Sequence, residues 1–160
     1  MKQVLKSYKM LAHYVNKDIQ IVKGTTEWCC YPELCQVEIP QIVAEQGEQA
    51  FLNSVACQLP TNQQELINII PDFMWSFLHE IGHIECEHTA NNQITRNFIN
   101  FISKIGWEKM ANKLYFNLKE EKQATKWAVD FVINNYETIE NYTNKIIKKY
   151  KKYYKKVLTD

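Results

Sequence analysis

Apolar residues recur at helical spacing along most of the chain. Val4, Tyr8, Leu11 and Val15 follow one another at intervals of four, three and four, which predicts one buried face on an N-terminal helix. Three more stripes follow with the same period: Ile94, Phe98, Ile102 and Ile105; Trp107, Met110, Leu114 and Leu118; and Ile146, Tyr150, Tyr153 and Val157. With only four glycines and four prolines, the chain favours long helices over an all-β fold with many turns.

Two short segments near the N-terminus alternate between apolar and polar residues instead. DIQIV (18–22) and CQVEIP (35–40) therefore predict two strands of a small antiparallel sheet. Glu38 and Pro40 discourage uncontrolled strand pairing, so we expect the second segment to be the sheet edge on which a peptide could be added as a strand. No repeat or linker interrupts the pattern. The sequence thus predicts an α+β fold, a mostly helical single domain over residues 1–160.

Composition narrows the class of protein. The 160 residues include 19 basic and 18 acidic side chains, so the net charge of +1 does not favour direct binding to nucleic acid. No apolar run reaches the roughly 18 to 20 residues that span a bilayer, and charges interrupt the N-terminal segment where a signal peptide would be apolar. The five cysteines are odd in number, and those of WCCYPELC (28–35) form no CxxC pair. We expect reduced, structural thiols in a cytoplasmic protein that does not bind membranes.

HEIGHIECEH (79–88) is the segment with the densest metal-binding chemistry. His79 and His83 are four residues apart, so on a helix both imidazoles face one side and can reach the same Zn²⁺. Glu80 is offset by one residue, so it can act as general base toward a water on that metal. Gly82 leaves room for another backbone or a substrate to approach the helix closely. The segment predicts a zinc site with its own base.

A catalytic zinc needs a third protein ligand. Cys86 and His88 follow too closely on the same helix to point at the site. A second predicted helix, LKEEKQATKWAVDFVI (118–133), offers Glu120 and Glu121, and its alanines would allow close packing against the first. Spacing alone leaves both glutamates open as the third ligand.

The two motifs, in this order, resemble the ImmA/IrrE family of small zinc metallopeptidases. The first is HEIGH (79–83) in an aromatic-rich helix, and the second is E-x-x-A-x-x-W-A-x-D-F-x-I, which begins at Glu121. The resemblance covers about half the chain. Gln123 stands where the family often has glutamate, and Thr125 where it usually has an acidic residue or asparagine.

The resemblance implies a gluzincin-like hydrolase, often encoded by phages and mobile elements. Its zincin-like HExxH helix would pack against a second ligand helix. His79, His83 and Glu121 would bind Zn²⁺, and Glu80 would act as the catalytic base. The expected activity is that of a metalloprotease, a zinc-dependent endopeptidase whose partner and substrate is a repressor-type, helix-turn-helix transcription factor.

A second hypothesis belongs to another class of function. The departures at Gln123 and Thr125 and the Lys/Tyr-rich C-terminal helix are also compatible with a zinc-stabilised, non-catalytic protein that sequesters a partner. For the endopeptidase, Tyr115, Tyr136 and His88 are the candidates for stabilising an oxyanion.

Overall fold

The computed structural model describes residues 2–24, 28–40, 49–88 and 93–157. Within these ranges the chain is a mostly helical α+β domain, as the sequence predicts. The helices are α1 (Lys2–Val15), α2 (Gln49–Gln58), α3 (Leu66–Ile69), α4 (Asp72–Glu85), α5 (Gln93–Lys104), α6 (Glu108–Tyr115), α7 (Lys119–Asn134) and α8 (Tyr136–Val157). The strands are β1 (Gln20–Lys23), β2 (Cys29–Tyr31) and β3 (Gln36–Ile39). No described helix is both long and apolar enough to cross a bilayer.

The sheet differs from the predicted one in two respects. Its strand order is β1-β3-β2, with β3 parallel to β1 and antiparallel to β2, so the sheet is mixed and not purely antiparallel. The prediction that CQVEIP forms an edge is wrong, because β3 is the central strand. Val37 lies opposite both Ile21 and Cys30 and is fully buried. Glu38 and Pro40 therefore do not protect an edge, and β2, which was not predicted, is an edge strand.

Helix α4 runs through the main hydrophobic core. Trp75 and Phe77 on this helix are completely buried. Tyr8 of α1 packs edge-on against Phe77, with ring centroids 4.8 Å apart. The predicted stripe of α1 is thus directed at α4, and the apolar face of α8 contributes Ile139, Ile146 and Tyr150 to the same core. These contacts fix the helix that carries the candidate metal ligands.

Helix α7 crosses α4 at very short range. A Cβ atom added at Gly82 would lie 2.6 Å from the carbonyl oxygen of Ala124 and 3.0 Å from its Cα. The close approach predicted at Gly82 is therefore confirmed, and the approaching backbone is that of α7. Because of this close crossing, side chains of α4 and α7 near Gly82 and Ala124 lie next to each other.

Helices α5 and α6 form a hairpin (residues 93–115) with a small core of its own. Ile99 and Ile102 of α5 pack against Ala111 of α6. The sequence placed Ile102 on one buried stripe with Ile94, Phe98 and Ile105, but those three side chains are more than half exposed. The physical reason is that the two helices contact each other along one flank, which leaves the neighbouring apolar flank open.

Candidate metal centre

Two helices bring three donor atoms together in the interior. His79 and His83 of α4 are 5% and 6% exposed, and Glu121 of α7 is fully buried. The Nε2 atoms of the histidines are 3.1 Å apart, and Glu121 Oε2 lies 3.1 Å from His79 Nε2 and 3.3 Å from His83 Nε2. Of the two glutamates left open by spacing, Glu121 and not Glu120 belongs to this group.

The three separations fit ligands of a single small ion. Zinc bonds of about 2.0 to 2.1 Å in tetrahedral geometry imply donor atoms about 3.3 Å apart. The observed separations of 3.1 to 3.3 Å agree with this value. The buried group of His79, His83 and Glu121 could therefore hold a metal ion.

Thr125 fixes the tautomer of His79. The Thr125 hydroxyl donates its only proton to the Glu121 carbonyl oxygen at 2.8 Å, so it must accept from His79 Nδ1, which lies 3.1 Å away. A neutral imidazole with its proton on Nδ1 has a free lone pair on Nε2. The His79 ring also packs edge-on against Phe51, with centroids 5.1 Å apart. Thr125 thus turns the lone pair of His79 toward Glu121.

A chain of two hydrogen bonds does the same for His83. Gln123 Oε1 accepts from His88 Nε2 at 3.2 Å, which leaves His88 Nδ1 as an acceptor. His83 Nδ1 lies 2.8 Å from that atom and must be the donor. Burial lowers the pKa of His88, which favours the neutral ring that this chain requires.

The two departures from the family pattern, Gln123 and Thr125, are therefore the residues that orient the histidines. With both Nδ1 protons in use, the Nε2 lone pairs of His79 and His83 and a lone pair of Glu121 converge on one buried point. Three converging lone pairs repel one another unless a cation lies between them. This convergence is the strongest indication that the site binds a metal.

The remaining oxygen of Glu121 is held by the α5–α6 hairpin. Arg96 Nη2 donates to Glu121 Oε1 at 3.0 Å, which leaves Oε2 for a metal. The positive charge of Arg96 at this distance favours the ionised form of the Glu121 carboxyl group. The carboxylate is ionised in the folded protein. Arg96 was not predicted, because no recognisable motif surrounds it.

Glu80 faces the sheet instead of joining the three ligand atoms. It is half-buried beside the thiol of Cys30 on strand β2. Burial, and next the charge of Glu80, raise the pKa of Cys30 far above its usual range, so the thiol stays protonated and can donate to the carboxylate. The cysteine spacing in WCCYPELC did not indicate this contact between Cys30 and the candidate base Glu80.

One of the three candidates for an oxyanion donor lies beside the ligands. Burial, and next the charge of Glu121, raise the pKa of Tyr115, so its hydroxyl keeps its proton. His88 is already engaged with His83. Tyr136 interacts with the carboxylate of Glu140, on its own helix.

Comparisons with known proteins do not assign this site to a family. No family model matches the chain, and no curated protein or solved structure is significantly similar to it. The resemblance to ImmA/IrrE peptidases therefore remains a prediction from two motifs.

Proposed function

We propose that this protein is a zinc-dependent endopeptidase. His79, His83 and Glu121 would hold Zn²⁺, since two histidines and a carboxylate are a donor set of catalytic zinc sites that leave one coordination position open. The observation that carries the proposal is the convergence of three lone pairs in a buried site, with the half-buried Glu80 directly after His79 on α4. A purely structural zinc site would be closed by a fourth protein ligand, and the described group has three.

The protein's own residues supply the rest of the chemistry. Bound zinc would polarise a peptide carbonyl and lower the pKa of a water toward about 7. Glu80 follows ligand His79 directly and takes up a proton on its carboxylate, which the Cys30 thiol helps to hold in position. Tyr115 keeps its hydroxyl proton and donates a hydrogen bond to the developing oxyanion.

Strand β2 is the edge best placed to bind a peptide substrate. Its residue Cys30 lies beside Glu80, and its described neighbour in the sheet is β3 on one side only. An extended peptide could add to this edge through main-chain hydrogen bonds, with little selection for side chains. We therefore propose an intracellular protein target cut at few sites. The resemblance points to a helix-turn-helix repressor of a phage or mobile element.

The decisive experiment compares Glu80→Gln with the wild type. Zinc content would be measured on the purified proteins, and cleavage would be followed on a helix-turn-helix repressor encoded beside this gene. Glu80→Gln should retain stoichiometric zinc and lose cleavage, because it removes a base and not a ligand. Glu85→Gln on the same helix is the matched control, because a glutamine can still accept the hydrogen bond that Asn16 donates to Glu85. A wild type without zinc, or a Glu80→Gln variant that cleaves at the normal rate, would refute the proposal.

The same variant separates the enzyme from a sequestering protein. If Glu80→Gln keeps the biological effect and the metal, the protein acts by binding. One argument for that alternative is that Gln123 and Thr125 depart from the family motif. This argument is weak, because both residues orient the histidines.

A further inference from the structure

The α5–α6 hairpin exposes seven large apolar side chains at helical spacing. We define the hairpin seam as Ile94, Phe98 and Phe101 of α5, Ile105 and Trp107 of the connection between the two helices, and Met110 and Leu114 of α6. Each is between 38% and 87% exposed. At roughly 200 Å² for a large side chain, the exposed fractions correspond to about 800 Å² of accessible surface. Monomeric proteins rarely expose apolar patches larger than a few hundred Å².

The spacing of the residues in the hairpin seam indicates which kind of partner would cover it. The first four residues of the seam, Ile94 to Ile105, are separated by four, three and four positions, and its last three, Trp107 to Leu114, by three and four. This is the a/d spacing with which helices pack against other helices in coiled coils and four-helix bundles. The partner must therefore present helices of matching spacing, and a second hairpin of the same sequence does so.

The size and composition of the seam favour a permanent partner. About 800 Å² is what each partner of a standard protein interface buries, and strongly apolar faces are typical of homodimers more than of transient complexes. Membrane-bound amphipathic helices carry many basic residues on their polar face. The other faces of α5 carry mainly uncharged polar residues (Thr95, Asn97, Asn100 and Ser103), which favours a protein partner over lipid. Arg96 of α5 is directed at Glu121. The exposed basic residues of the hairpin are Lys104, Lys109 and Lys113, and vesicle binding therefore belongs to the test.

From these observations we propose that two copies of this chain dimerise through their hairpin seams, which together form a four-helix bundle. Because Arg96 and Tyr115 belong to the hairpin and interact with Glu121, each bundle half lies directly beside a metal centre. The proposal concerns assembly and does not depend on peptidase activity.

Sedimentation velocity and light scattering of the full chain test this proposal without substrate. The wild type should have twice the chain mass of 19.0 kDa. The double variant Phe98→Glu/Phe101→Glu should have the mass of one chain, because it would bury acidic groups at the centre of the bundle. Met10→Glu is the matched control, since Met10 is a 46% exposed apolar residue on α1, outside the hairpin. It should remain dimeric.

A second variant covers the case in which the double variant does not fold. Ile94 is 87% exposed and has little packing to lose within the chain, so Ile94→Glu should fold, as circular dichroism would show, and should weaken the dimer at least tenfold. A monomeric wild type would overturn the proposal. So would dissociation by Met10→Glu equal to that by Ile94→Glu. A monomer that binds vesicles of phosphatidylglycerol and phosphatidylcholine would assign the seam to lipid instead.

Discussion

Replacing Thr125 with valine tests the hydrogen bond that orients His79. Thr125 is fully buried, and valine has nearly the same shape but no hydroxyl. The Glu121 carbonyl oxygen keeps its helical hydrogen bond from the Thr125 backbone, so the group left without a partner is His79 Nδ1–H. An unsatisfied buried donor costs about 1 to 3 kcal/mol, and each 1.4 kcal/mol is about a tenfold change in affinity. We expect Thr125→Val to weaken zinc binding by about 10- to 100-fold, the range found when a partner behind a histidine ligand is lost.

Competition with a chromogenic chelator would measure the zinc affinity. Thr143→Val is the matched control, because Thr143 is also buried on a helix and its hydroxyl oxygen has no hydrogen-bond partner in the described chain. Its affinity should equal that of the wild type, and Thr125→Ser should restore most of what valine loses. Equal zinc affinity for Thr125→Val and Thr143→Val would show that the hydroxyl does not orient His79.

Three further predictions concern the ligand set, the helix crossing and the oxyanion donor. Glu121→Gln should weaken zinc binding by more than 100-fold, whereas Glu120→Gln should bind zinc like the wild type; a chelator titration in which Glu120→Gln loses more affinity than Glu121→Gln would contradict this ligand assignment. Gly82→Ala should destabilise the protein by about 1 to 3 kcal/mol in urea unfolding, because its methyl group would overlap the Ala124 carbonyl; unchanged stability would contradict the close crossing. Tyr115→Phe should keep bound zinc but lower kcat by about 10²- to 10³-fold, and unchanged kcat would remove Tyr115 from the mechanism.

The sequence determined those features that depend on local periodicity. His79 and His83 share a face because four residues make about one helical turn, and the tertiary contacts do not alter that relation. Gly82 likewise indicated a close approach to this helix, although not which element approaches. The helices themselves followed from stripes of apolar residues, as in α1.

Tertiary structure decided the features that depend on which elements meet. Neighbouring residues on a helix differ by about 100° in direction, so only the crossing of α4 and α7 could select Glu121 over Glu120. Strand order is likewise non-local, and β3 proved to be central although its Glu38 and Pro40 suggested an edge. Thr125 differs from the residue usual at this position of the ImmA/IrrE motif, and only the folded structure shows that its hydroxyl accepts the hydrogen bond from His79.

The apolar stripe of α5 shows the same limit for packing. Periodicity indicates that one face of a helix avoids water, but it does not say whether the covering surface belongs to the same chain. Ile102 found its contact within the hairpin, whereas Ile94 and Phe98 remained exposed. The physical reason is that the hydrophobic effect is non-directional: it requires burial of the apolar face, and the arrangement of the whole chain decides where that burial occurs.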